Sequence, residues 1–148
     1  MAVGGSVSTP IFKQDGQYLS LKVASAAVTL GQIVKVYSTT SPATVTYTGT
    51  SGANALGVIG VAISGNRISR TATAETVAVD DYVTICTRGV CNCTAGGTVT
   101  AGLDVQGEAA GTIVNIDSSS YVDLRCLVGR ALKTGTTGDV IPVLVAIR

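Results

Sequence analysis

The chain has 148 residues, enough for one domain with a sizeable core, and its ten basic and nine acidic residues leave a net charge of +1. No charge field therefore selects nucleic acid or an anionic membrane, and the basic residues neither cluster nor interleave with aromatics. Charged residues are only 13% of the chain, about half the usual share, which predicts that part of the surface lies under partners; the competing reading is a Thr-coated β-domain kept soluble by its hydroxyls.

Residues 1–16 read as an N-terminal arm, small and polar, interrupted by Pro10 and Gly16, with Ile11 and Phe12 as its one apolar pair. Such an arm is disordered unless something ties it down, or it adds a strand to a neighbour with Ile11 and Phe12 as anchors. It lacks the basic start and apolar core of a signal peptide, so synthesis in the cytoplasm is expected.

Strands are then predicted at short intervals through a single β-domain over residues 17–148. Leu19, Leu21 and Val23 alternate with Ser20 and Lys22, the period of a half-buried strand. Ala24 to Leu30 suits a short helical turn stopped by Gly31, and residues 32–37 form the next strand. Val45 and Tyr47 alternate with threonines, and residues 50–54 read as a turn. Leu56-Gly57-Val58-Ile59-Gly60-Val61-Ala62-Ile63 is too apolar to be half exposed; it reads as a buried strand with glycines where another backbone approaches closely.

Further strands are expected over residues 76–79, 82–87, 90–94, 98–100, 112–116, 121–127 and 139–147. Pro142 would put the last of these at an edge or a bulge. Twenty threonines, 18 glycines and abundant Val and Ile suit pleated strands and tight turns. With no Trp and one Phe, the core must be small and aliphatic. About ten short strands predict an all-β fold, a compact sandwich or barrel. No run of ~20 apolar residues exists to cross a bilayer as a helix.

The phrase Gly60-Val61-Ala62-Ile63-Ser64-Gly65 is echoed by Gly129-Arg130-Ala131-Leu132-Lys133-Thr134-Gly135. In so Gly- and Val-rich a chain this predicts similar local structure at both places rather than duplication.

Catalytic chemistry is poorly supplied. Histidine, the commonest general base, is absent. Asp80-Asp81, the only adjacent acidic pair, reads as a turn. Lys133-Thr134-Gly135 is similar to one element of serine β-lactamases, but no Ser-x-x-Lys accompanies it. No phosphate-binding Gly loop occurs. The expectation is no enzyme, no catalytic residue and no cofactor.

Cys86, Cys91, Cys93 and Cys126 allow three readings. They are buried thiols acting as small hydrophobes, or one or two disulfides, or four zinc ligands in a spacing that is not a standard knuckle. In the disulfide reading, residues 87–90 form a turn that sets Cys86 opposite Cys91, and Cys126 meets Cys93 from another strand.

Several segments in order carry a resemblance: Gly31-Gln32-Ile33-Val34; Leu56 to Ala62; Tyr82-Val83-Thr84-Ile85 with Arg88-Gly89-Val90; Thr98 to Gly102; Val128-Gly129-Arg130-Ala131-Leu132; and Gly138 to Val145. Together, over residues 17–147, they resemble small capsid cement, or head-decoration, proteins of tailed phages and related viruses. The resemblance implies a compact β-domain that docks on the outside of an assembled shell, with the major capsid protein as partner, commonly as a homotrimer at local three-fold positions. It implies a virion surface location after synthesis in the host cytoplasm, and no reaction and no cofactor. The four cysteines depart from that pattern. The other functional class is a β-rich carbohydrate- or surface-binding module of a fibre. Five tyrosines spread along the chain and the absence of Trp count against a sugar site.

Overall fold

The computed structural model describes residues 16–38, 44–47, 57–71, 74–116 and 126–147. Ile11 and Phe12 of the arm lie outside these residues, as do the turn at 50–54 and residues 121–125 of one expected strand. Among the described residues twelve strands are seen: β1 (Gln17–Val23), β2 (Val28–Thr29), β3 (Ile33–Ser38), β4 (Thr44–Tyr47), β5 (Val58–Gly65), β6 (Ser69–Arg70), β7 (Glu75–Val77), β8 (Tyr82–Thr94), β9 (Asp104–Gly107), β10 (Ile113–Asn115), β11 (Leu127–Ala131) and β12 (Val140–Ala146). The fold is all-β, as the strand pattern predicts. The one helical element described is a single 3-10 turn at Ala109–Gly111.

β8 is the spine. Its first half pairs with β1 and with β5, while β1 pairs with β4, β4 with β3 and β3 with β5. Those pairings close a ring of five strands. The second half of β8 pairs with β12, from which the sheet continues through β11 and β9 to β10. A parallel bridge from Ala95 to Ile113 brings β10 back toward the end of β8, so the second half also curls on itself. Beside the ring lies a small sheet of β2, β7 and β6.

Two cores result, and three strands divide them. Val34, Ala62, Val83 and Ile85 enter the smaller core with Val23, Val28 and Val77. Ile33, Val61, Ile63, Cys86, Cys91 and Cys93 enter the larger one with Val128, Ile141, Val143 and others. β3, β5 and β8 are therefore apolar on both faces where they divide the cores, the arrangement expected of the 56–63 run. Each buried Val or Ile contributes about 1.5–3 kcal/mol of transfer free energy. Among the described residues no buried side-chain nitrogen or oxygen lacks a hydrogen-bond partner. Gln32 ties the halves together: its Oε1 accepts from the Thr29 amide and its Nε2 donates to the Ala110 carbonyl, each at 2.8 Å.

Four expectations need correction. Residues 98–100 form no strand, because Val99 makes only an isolated bridge to Gly135. Residues 82–87 and 90–94 are not two strands, because β8 runs through both; a β-bulge replaces the expected turn. Tyr18 pairs with Cys86 but Gln17 pairs with Arg88, so Thr87 is the extra residue. Nor do residues 24–30 form a helical turn; Val28–Thr29 pairs with β7, which buries Val28 against Val77. Finally, Pro142 is neither at an edge nor at a bulge. β12 lies between β8 and β11, with Pro142 in unbroken register opposite Asn92. The proline is tolerated there because the β11 ladder ends at Ala131, opposite Val143. Only the Pro142 carbonyl is used beyond that point, accepting from the Leu132 amide at 2.9 Å.

The two similar phrases do share local structure. A Cβ on Gly60 would overlap the Cys86 carbonyl, and one on Gly129 would overlap the Leu144 carbonyl. Both are places where a neighbouring backbone leaves no room for a side chain. Gly129→Ala should therefore lower the unfolding free energy by about 1–3 kcal/mol. Gly97→Ala, whose Cβ would meet only Val114 at 3.4 Å, should cost clearly less. Urea unfolding of the two variants checks this.

Candidate functional site

The bulge in β8 decides where the cysteines go. Alternation along an uninterrupted strand would send Cys86 and Cys91 to opposite faces. The extra residue at Thr87, followed by Gly89 at φ +136, reverses the parity, so Cys86, Cys91 and Cys93 all enter the larger core. Gly89 meets the need twice: its φ is one that L side chains rarely adopt, and a Cβ would press on the Gly16 Cα.

Within this cluster the Cys86 Sγ donates to the Arg88 carbonyl at 3.4 Å, and the Cys93 Sγ reaches the Cys91 carbonyl at 4.0 Å. The contact between the Cys86 and Cys91 thiols favours ionisation of Cys86 and pushes Cys91 up, with burial adding to the rise at Cys91. Burial pushes the Cys93 thiol well above its ordinary value. Cys126 is buried immediately before β11, outside the cluster. All four cysteines are unbridged in this structure, and the turn that would have set Cys86 opposite Cys91 does not exist. Among the described residues, no group of three or more His, Cys, Asp or Glu side chains is placed to hold a metal ion.

The acids are equally unsuited to paired chemistry. Asp80 and Asp81 form the turn between β7 and β8, as their adjacency predicts, with Asp80 at φ +73. The Asp80 carboxylate bonds the Lys22 ammonium at 2.8 Å and raises its pKa. Asp104 pairs with Arg130 at 2.9 Å.

The surface offers more than these groups do. On the outer face of β12, Val140 and Leu144 are about half exposed, with Pro142 between them. Register places Val90 of β8 beside Leu144 on one side. On the other, Arg130 lies beside Leu144, and the amide contact to Pro142 places Leu132 next in line. Leu132 is also half exposed. The result is an apolar stripe edged by the Arg130–Asp104 ion pair and by Arg88. The sequence hinted at such a surface only through its low charge, since the residues come from three strands.

A compact all-β fold built on a shared central strand, with an exposed apolar stripe on β12, defines the class: an all-β protein of the sandwich or barrel kind. No protein-family model matches the sequence, and no curated protein matches it. Among solved structures the chain is similar to the head fibre gp8.5 N base of bacteriophage phi29, with a TM-score of 0.54 and 12% identity over 88% of this chain and 93% of that one. The likeness is one of fold.

The thiol environment has a consequence for alkaline stability. Folded Cys93 keeps its proton above the ordinary value of 9.0, where the unfolded chain gives it up. The unfolded state then binds fewer protons, so stability falls as pH rises past that value. In urea titrations above pH 9, Cys93→Ala should show a shallower loss of unfolding free energy with pH than the parent protein.

Proposed function

We propose that the chain is a virion structural protein that binds the outside of an assembled capsid and stabilises it, with the major capsid protein as partner. The observation that carries this is the fold shared, over nearly the whole of both chains, with a protein whose structure is described as the base of a phage head fibre. The ordered sequence resemblance to head-decoration proteins points the same way. Physically, a cement protein acts by mass action, binding the assembled lattice better than loose subunits. The stripe of Val140, Leu144 and Leu132 supplies apolar surface for that contact, and the low charge of the chain removes the desolvation cost that would oppose it. The protein acts as a homotrimer, and the arm adds Ile11 and Phe12 as anchors on a neighbour.

The second reading is a surface-binding fibre module for which this domain is the base. The neighbour, itself a fibre base, favours it.

Co-sedimentation with shells lacking the protein separates them. Cementing predicts saturable binding and shells that survive hotter incubation. Binding without any gain in shell stability would favour the fibre base, and no binding would refute both capsid roles. Leu132→Glu with Leu144→Glu, both exposed, should reduce shell affinity at least about tenfold while leaving the fold's melting nearly unchanged. Deleting residues 1–15 should likewise weaken shell binding without changing that melting; unaltered binding would remove the arm from the mechanism.

A further inference from the structure

The tyrosines are scattered in the sequence, but strand pairing gathers two of them. Along β1 and β8 the register runs without a break from Tyr18 opposite Cys86, through Ser20 opposite Thr84, to Lys22 opposite Tyr82. Tyr18, Ser20 and Lys22 therefore share a face with Thr84 and Tyr82. On the far side of β8, Thr84 pairs with Ser64 of β5. Three hydroxyls, Ser20, Thr84 and Ser64, thus lie in a row across three adjacent strands. Tyr82, about half exposed, stands at one end of the patch, and Tyr18, partly buried against the larger core, at the other, four residues apart in register, about 13 Å along the strands.

Between the row and Tyr18 lies a shallow cavity of about 230 Å³, lined by Tyr18, Ile63, Ser64 and Thr84. A second bulge, between Ala62 and Ser64, brings Ile63 into this lining. At the other end Tyr82 is about half exposed, and its amide is held by the Asn66 side chain at 2.8 Å.

The chemistry of this face is narrow. Backbone groups of β1, β8 and β5 are spent in the ladders of the closed ring, which leaves recognition to side chains rather than to an added strand. Lys22, the one cation on the face among the described residues, is paired with Asp80 at 2.8 Å, so no described group there selects a phosphate or a polyanion. What remains is a row of hydroxyls, each both donor and acceptor, between two aromatic rings. A ligand that satisfies both needs many hydroxyls and apolar C–H faces.

From this geometry we infer that the outer face of β1, β8 and β5 is a binding site for a neutral saccharide, spanning two to three sugar units between Tyr18 and Tyr82. The site is separate from the stripe on β12 and does not depend on the capsid reading. One ring of the ligand stacks on the exposed Tyr82, another enters the cavity that Tyr18 lines, and the ligand's hydroxyls bond Ser20, Thr84 and Ser64. An open, wet site of this kind gives modest affinity, with Kd on the order of 1 mM.

The test is an amide NMR titration of the full chain with maltotriose, cellotriose and chitotriose, each to ~20 mM, well above that Kd. At least one should give saturable shifts centred on Ser20, Ser64 and Thr84. Tyr82→Ala, a change at an exposed position, should weaken that binding about tenfold, and Ser20→Ala should weaken it measurably. No shifts with any of the three sugars, or shifts that Tyr82→Ala leaves unchanged, would overturn the assignment. Shell co-sedimentation of Tyr82→Ala should match the parent protein; a loss of shell binding there would instead make this face part of the capsid contact and refute its separateness.

Discussion

One strand serves two cores, and the rest of the architecture follows from that constraint. The 13 residues of β8 close a five-stranded ring with their first half and carry a second curled sheet with their other half. A strand in this position cannot alternate core and solvent along its whole length. It is apolar on both faces at Ile85 and Cys86, where it divides the cores, and its parity must change where it passes from one half to the other. The bulge at Thr87 and the backbone of Gly89 provide that change. Without them, Cys91 and Cys93 would turn outward and the second core would lose part of its centre.

The same constraint accounts for the side chains chosen. Where strands divide two cores they must pack closely on both sides, so they carry Val, Ile, Ala, Gly and Cys there, and the tyrosines of β3 and β8, Tyr37 and Tyr82, lie exposed near the strand ends. Gly60 and Gly129 mark the points where backbone carbonyls fill the space of a side chain. Cysteine suits such places as a small, polarizable hydrophobe, and burial keeps the Cys93 thiol protonated. The chemistry of the thiols is thus subordinate to packing.

Function on such a scaffold falls to the outside. Two faces stand apart in character: the apolar stripe on β12 and the hydroxyl row flanked by Tyr18 and Tyr82 on the ring. The first suits a broad contact that excludes water; the second suits a small ligand met by directional hydrogen bonds.

Local pattern alone determined the fold class and much of its content: period-2 alternation marked β1, the unbroken apolar run marked β5 as buried on both faces, and the adjacent acids marked the turn at Asp80. These features depend on a residue's near neighbours, and they read correctly. Pairing was decided only by the tertiary structure. Joining residues 82–87 and 90–94 into one strand, seating Pro142 inside a sheet, gathering three thiols in one core and aligning Ser20, Thr84 and Ser64 all depend on which distant strands meet. Alternation states which side chains share a face; it does not state which strand lies alongside. Closure of the ring and burial on both sides of β8 supply that information, and they exist only once the chain has folded.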